Sequence, residues 1–358
     1  MKIIHTGDIH IGSPLKNLSA DKAQRRKTEI LKGFFKLCAY AKETGVRAVI
    51  IAGDLFDESG VSKSVQAQVF SAMEKAKPVC FFYALGNHDE CVHLDGAPDN
   101  LYAFSNNGEW KTYDLGENVF ITGLHSKYFS AQAFDALSLS NQAFHFLVLH
   151  GDIRDRASSE FIPLTALLTK PVDYLALGHI HEPTLRAERL GMRGAYRYCG
   201  CLEGRGFDEI GSRGFFLLEI ENGRLTGEKF LSFATRTVWE TRVDISACRS
   251  YFDVENAVFS SVKDLPSKDM VKIVLCGNYV ATLRKDVPLL TDRLNEKFFF
   301  ARVEDTSRLA FSYQDYEKDF TERGEFVREV LRANVPSEQK ESILEVGLKA
   351  LFGEEIDL

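Results

Sequence analysis

No run in this 358-residue chain reaches the ~18 consecutive apolar residues that a membrane-spanning helix requires. The opening residues, MKIIHTGDIH, contain neither the apolar core nor the small-residue cleavage site of a secretion signal. A cytoplasmic location without membrane association is expected. Cysteine is scarce: seven residues, an odd number without regular spacing, provide no disulfide framework and suit a reducing compartment. Cys199 and Cys201 form a lone C-x-C with no second pair, which reads as ordinary strand or loop cysteines. Positive charge is also in deficit, with 44 Lys and Arg against 51 Asp and Glu and a net charge of −7. That balance excludes nucleic-acid binding over a broad basic face, so any such contact must be local, metal-assisted or supplied by a partner. The chain contains no G-x-x-x-x-G-K-[ST] phosphate loop, no internal repeat and no low-complexity segment.

What is present is an ordinary globular composition, 45% hydrophobic and 27% charged, at a length that suits about two domains. Five short apolar runs, KIIHTGD, AVIIAGD, VCFFYALGNHD, HFLVLHGD and YLALGHIH, each deliver Asp, Asn or His at their C-terminal end. Amphipathic stretches such as RRKTEILKGFFKLCAYAKETG and SKSVQAQVFSAMEKAK separate several of them. Strand then helix in repetition predicts an α/β domain, in which sites form beyond the carboxyl ends of the strands. From about Tyr196 the glycine-punctuated segments AYRYCGCLEG, GFFLLEIENGRL and GEKFLSF read as a β-meander closing this domain. The expected organisation is 1–236 for the first domain, 237–312 for a small α+β domain, and 313–358 for amphipathic helices, with Phe320, Phe326, Val327, Val330 and Leu331 and then Leu344, Leu348, Leu351 and Phe352 mostly at helical spacing.

Asp8 and His10 are two apart at a strand end, so their side chains can point the same way, and His179 with His181 repeats the arrangement. Asp54, Asn87 and His150 each follow another strand and reach the same rim. One such piece alone is ordinarily a satisfied turn. Together, Asp, His and Asn without cysteine suit divalent cations such as Mn²⁺, Fe²⁺ or Zn²⁺ with open positions, and seven ligands suit two ions with a carboxylate between them. Two cations ~3.5–4 Å apart serve phosphoryl chemistry, activating water and clamping the attacking and leaving oxygens. His88 is adjacent to a ligand but is not needed as one, so it is the candidate acid for the leaving oxygen, with Asp89 as an orienting carboxylate. Asp57 is a candidate to orient a ligand or the acid. Arg205 is a candidate phosphate contact, with a salt bridge to Asp208 or Glu209 as the alternative. His125 ends the run NVFITGL, where a structural role is expected, and His5 reads as a core histidine.

The order D-x-H, G-D, G-N-H-D, H-G and G-H-x-H resembles that of the calcineurin-like metallophosphoesterases. HTGDIHIGSPL, GDLFDES, LGNHD, LGHIH and the CGCLEGRGFDEIGSRGFFLLEI segment are similar to the SbcD-type DNA repair exonucleases, including their YhaO-like branch. The resemblance implies a four-layer α/β/β/α metallophosphoesterase sandwich, followed by a small α+β capping domain and C-terminal helices. It implies two divalent metal ions, with Mn²⁺ first. Asp8, His10 and His181 would hold one ion, Asn87, His150 and His179 the other, with Asp54 bridging and His88 acting on the leaving group. It further implies a DNA substrate, a coiled-coil, SbcC-like ATPase partner docked on the C-terminal helices, and homodimerisation, for which no feature of the sequence speaks directly. A phosphodiesterase of small molecules, which the acidic charge would suit, and a non-catalytic scaffold remain as alternatives.

Overall fold

Ile3 and Ile4 are adjacent and both fully buried, and they enter two different hydrophobic clusters. A strand buried on both faces belongs inside a sheet that is covered on each side. The computed structural model describes residues 1–57, 61–89, 92–104, 107–154, 158, 160–280, 282–310, 316 and 319–352, apart from the side chains of 345, 349 and 352. It divides into two compact units, Met1–Val238 and Trp239–Leu358.

In chain order the first unit contains β1 (Lys2–Thr6), α1 (Ala20–Glu43), β2 (Ala48–Ala52), α2 (Lys63–Lys75), β3 (Cys80–Ala84), β4 (Leu101–Ala103), β5 (Lys111–Asp114) and β6 (Val119–Gly123). It continues with α3 (Ala131–Ala136), β7 (Phe144–His150), β8 (Asp152–Arg154), β9 (Phe161–Pro163), α4 (Leu164–Leu167), β10 (Tyr174–Gly178), β11 (Glu188–Leu190), β12 (Gly194–Tyr198), β13 (Gly214–Glu221) and β14 (Arg224–Ser232). One six-stranded sheet runs β14-β13-β1-β2-β3-β4 and the other β11-β12-β10-β7-β6-β5. Strands β1 to β4 are mutually parallel, as are β6, β7, β10 and β12, so five site-bearing strands end on parallel edges.

Alternating side chains build the layers, because successive residues of a strand face opposite ways. Ile4, Val49, Ile51 and Phe81 pack against Ile30, Phe34 and Leu37 of α1 and Val69 and Met73 of α2. Ile3, Ile50 and Phe82 meet Ile121, Phe146, Val148 and Ala176 between the sheets. Leu147, Leu149, Leu175 and Leu177 cover Phe134 of α3 and Leu167 of α4. The result is helices, sheet, sheet, helices. The predicted β-meander is corrected: β12 pairs in parallel with β10 in the second sheet, while β13 and β14 form a hairpin on the first. Gly200, at φ +68, carries the chain between the two sheets; a side chain there would strike Pro183.

The second unit contains all but the first residue of β15 (Val238–Asp244), then α5 (Tyr251–Ser261), β16 (Met270–Cys276), β17 (Asn278–Tyr279), α6 (Val287–Lys297), β18 (Phe300–Asp305) and β19 (Arg308–Leu309). Ser250 and Asp253 form a capping box on α5, and Asp286 caps α6, which has Pro288 in its first turn. Val254, Val258, Leu290 and Leu294 of these helices pack on Val271, Ile273 and Leu275. Two further helices follow, Glu322–Arg332 and Ser337–Phe352. Val327 and Val330 pack against Leu344 and Leu348. The apolar stripe expected to receive a partner is therefore spent between these two helices, leaving Phe320, Ile343 and Val346 as the exposed large apolar side chains among the described residues there. Of the segment expected to dock, residues 313–315, 317, 318 and 353–358 lie outside the described residues.

Candidate metal centre

The five predicted pieces meet on one rim. Asp8 and His10 follow β1, Asp54 follows β2, Asn87 and His88 form a single turn after β3, His150 ends β7, and His179 and His181 follow β10. The first two loops are stitched together by backbone hydrogen bonds: Asp8 N–H donates to the Gly53 carbonyl, and Ile9 and His10 N–H donate to that of Asp54. Four of the seven predicted ligands have left-handed backbone: Asp8 at φ 47°, His10 at 49°, Asp54 at 48° and His179 at 95°. Each such residue costs on the order of 1–3 kcal/mol and persists only where the surroundings impose it, commonly at functional sites. The glycines before the ligands permit the crowding. A Cβ on Gly53 would lie 2.0 Å from His150 Nδ1, and one on Gly86 would lie 2.2 Å from Asp54 Oδ1.

The donor atoms converge in two groups. His10 Nε2 and His181 Nε2 are 3.2 Å apart, and Asp8 joins them. His150 Nε2 lies 3.0 Å from Asn87 Oδ1. Asp54 Oδ2 stands between the groups, 3.5 Å from His10 Nε2 and 3.4 Å from His150 Nε2. The ring of His179 stands edge-on to that of His150 at 5.2 Å, and its backbone N–H donates to both Asp8 oxygens at 2.9 and 3.0 Å. His88 is exposed, its ring 4.9 Å from that of His10, and its backbone N–H donates to Asp54 Oδ1 at 3.0 Å.

The tautomer of His150 is settled locally. Its Nδ1 is 2.9 Å from the Ala52 carbonyl, which can only accept, so Nδ1 carries the proton and Nε2 presents a lone pair to the site. Burial, reinforced by the Asp54 charge, pushes Asp8 well above the usual carboxylate range. Burial and the Arg205 charge hold His10 far below the usual imidazole range. A buried carboxylate that resists ionisation and an imidazole that stays neutral both leave lone pairs that a bound cation could take up. The donors suit one: ligand atoms ~2.1 Å from a shared ion and at roughly right angles to one another are ~3 Å apart, as found here. His10 Nδ1 is buried with no hydrogen-bond partner among the described residues; Asp57 Oδ2 lies 3.9 Å away. Asp, His and Asn donors therefore fit divalent cations.

Asp57 approaches His10 and His88 without a hydrogen bond to the His10 ring. Asp89 is buried and accepts from the N–H groups of Phe56 and Gly86, both at 3.0 Å, so it ties the Asp54 loop to the Asn87 turn. Burial and the Asp54 charge push Asp89 up to about 7. Arg205 is engaged by Glu209: its Nε and Nη2 lie 3.0 and 2.7 Å from Oε1. Glu209 is a site residue that sequence reasoning misses. Its Oε1 is 2.8 Å from His181 Nδ1, and it is 2% exposed. Against the upward push of burial, its bonds to His181 and Arg205 hold Glu209 below the usual carboxylate range. The only sequence signal is its position in GRGFDE, where two adjacent acids compete for the same arginine. His125 is buried beyond β6 and caps a short turn by accepting from Lys127 N–H. His5 is a core histidine, bonded to the Tyr174 hydroxyl and the Leu177 carbonyl.

A family model described as calcineurin-like phosphoesterase matches residues 1–183. The chain is 27% identical over 308 residues to the uncharacterized metallophosphoesterase YhaO of Bacillus subtilis, covering 77% of this chain and 72% of that protein. It is 27% identical over 270 residues to the DNA double-strand break repair protein Mre11 of Methanopyrus kandleri, covering 64% and 56%. With the SbcD component of the SbcCD nuclease of Escherichia coli it shares 25% identity over 276 residues, covering 63% and 66%. Among solved structures, a dimetal phosphatase from Danio rerio aligns with a TM-score of 0.43 at 10% identity, covering 65% of this chain and 99% of that one.

Proposed function

The chain belongs to the calcineurin-like phosphoesterase family, whose members work with two divalent cations, and on that premise we propose that it is a metal-dependent DNA nuclease that hydrolyses phosphodiester bonds in DNA repair. The observation that carries the two-metal reading is Asp54: one carboxylate oxygen stands within 3.5 Å of a histidine nitrogen in each donor group. Asp8, His10 and His181 would hold one ion and Asn87, His150 and His179 the other, with Asp54 shared. Mn²⁺ is the first candidate for both. When bound, two such ions supply activation of water and neutralisation of phosphate charge.

The chain's own residues do the rest. Asp54 accepts from the His88 backbone and so sets where the turn sits. The exposed imidazole of His88 can then reach the leaving oxygen and give it a proton, a contribution worth typically about 10²–10⁴ in rate. Asp89 keeps the two loops in register by bonding backbone on both sides. Arg205, held by Glu209, offers its remaining edge to a phosphate oxygen.

DNA as substrate is supported by relatives named for double-strand break repair and for a nuclease. The same reading proposes an SbcC-like, coiled-coil ATPase as partner, received by the exposed apolar residues of the last two helices. The net charge of −7 favours the competing reading, a phosphodiesterase of small molecules. An assay of the purified chain with Mn²⁺ on labelled duplex and single-stranded DNA, beside cyclic nucleotides and bis-p-nitrophenyl phosphate, separates them. Release of nucleotides from DNA is expected; hydrolysis of the small esters with intact DNA would overturn the nuclease reading.

A further inference from the structure

Three histidines direct Nε2 into the centre, and each has something different behind its Nδ1. Behind His150 is a neutral backbone carbonyl at 2.9 Å. Behind His10 there is no hydrogen-bond partner among the described residues. Behind His181 is the carboxylate of Glu209 at 2.8 Å, with Arg205 Nη2 beside it at 3.0 Å. A ligating imidazole becomes a better donor, and its ring is fixed, when its other nitrogen gives a hydrogen bond to a carboxylate.

Glu209 is built for such a role. It is 2% exposed and comes from a different loop, 28 residues after His181. Its own position is set from the other side, because the Arg205 side chain contacts Oε1 through Nε and Nη2 while the Arg205 backbone N–H donates to Oε2. The carboxylate is therefore pinned at both oxygens before any ligand arrives. Arg205 also compensates the negative charge, so a buried acid can stand behind the histidine without an unpaired charge.

We infer that Glu209 is a positioning residue that sets the affinity of the cation held by Asp8, His10 and His181 and makes it the tighter of the two, with Arg205 as its clamp. The inference rests on the two-metal reading above. The ligands themselves run in the same direction: Asp8 is an acid, whereas Asn87, His150 and His179 are uncharged donors. A proton on His181 Nδ1 satisfies Glu209 and leaves the Nε2 lone pair facing His10 and the cation. Without the carboxylate, the ring can turn or place its proton on Nε2, and the first ion loses a ligand while the second keeps its carbonyl-backed His150.

The test is Mn²⁺ binding by the metal-free full-length chain, followed through the electron paramagnetic resonance signal of free Mn²⁺, for wild type, Glu209→Ala and Glu209→Gln. Wild type is expected to take up two ions in two steps. Glu209→Ala is expected to weaken the tighter step by about 10–100-fold and leave the other unchanged. Glu209→Gln, whose amide oxygen still accepts from Nδ1–H, is expected to fall between them. Wild-type isotherms in both variants, or equal weakening of both steps, would overturn the inference. If Glu209→Ala does not fold, Glu209→Gln decides: one weakened step supports the role and an unchanged isotherm removes it. Failure of the wild-type chain to bind two ions would instead remove the two-metal reading beneath it.

Discussion

His10 and His181, 171 residues apart in the chain, face each other through their Nε2 atoms at 3.2 Å. Two imidazole nitrogens at that distance share either the N–H of one neutral ring or a metal ion, and burial together with the Arg205 charge keeps His10 from becoming an imidazolium. On the two-metal reading, an ion that replaces this shared proton would contribute to the stability of the fold as well as to chemistry. A ligand that binds only the folded state at 100 times its Kd stabilises by about 2.7 kcal/mol. Melting curves in EDTA and in excess Mn²⁺ should differ accordingly, with the metal-loaded protein higher. Superimposable curves would mean that these nitrogens do not bind the ion.

His88 is proposed as the acid and not as a ligand, although it also stands with His10 and Asp57 in a group that could hold an ion. Replacing it with alanine should lower turnover by about 10²–10⁴-fold while metal analysis still finds two ions per chain. A loss of bound metal would reassign His88 to the ligand set.

Gly86 is required by space rather than by conformation, since a Cβ there would lie 2.2 Å from Asp54 Oδ1. Gly86→Ala should cost about 1–3 kcal/mol by overpacking and should weaken Mn²⁺ binding, because the displaced group is the carboxylate proposed to be shared. Gly45→Ala is the matched control. Gly45 sits at φ +67 with nothing within 4 Å, so the substitution should cost stability through strain alone and leave the Mn²⁺ isotherm as in wild type. Urea unfolding and isothermal titration read the two quantities separately.

His5 links stability to acid. Burial, helped by the Arg197 charge, lowers its folded pKa to about 3 from the ordinary imidazole value of 6.5, against the bond to the Leu177 carbonyl that favours the charged form. The unfolded chain then binds the proton that the folded chain refuses, so stability is fully present above about pH 6.5 and falls as pH drops towards 3. Between pH 7 and pH 5 this one group removes about 2 kcal/mol. Urea midpoints for His5→Gln in EDTA should show a pH dependence smaller by that amount, although the substitution also disturbs the contact with Tyr174. An unchanged pH dependence would place the acid sensitivity elsewhere.

The centre is legible in the sequence because its pieces are local. Each proposed ligand stands within a few residues of a strand end, and G-D, G-N-H-D and G-H-x-H put a glycine immediately before one of them, where Gly53, Gly86 and Gly178 leave no room for a side chain. Glu209 is hidden because its partnership with His181 exists only after folding, and the neighbouring Asp208 offers the same charge. The β12 segment misleads for a related reason: alternating Ala, Tyr and Arg are compatible with either sheet, and membership is decided by the long-range pairing with β10. In the last two helices, periodicity identifies the apolar stripe but not its occupant, which proves to be the facing helix.

The claim on which the rest depends is that Asp54 is shared by two cations. Anomalous diffraction from a crystal grown with Mn²⁺ tests it most directly. Two peaks about 3.5–4 Å apart, one beside Asp8, His10 and His181 and the other beside Asn87, His150 and His179, with Asp54 reaching both, are predicted. A single peak, or peaks out of reach of the Asp54 carboxylate, would contradict it.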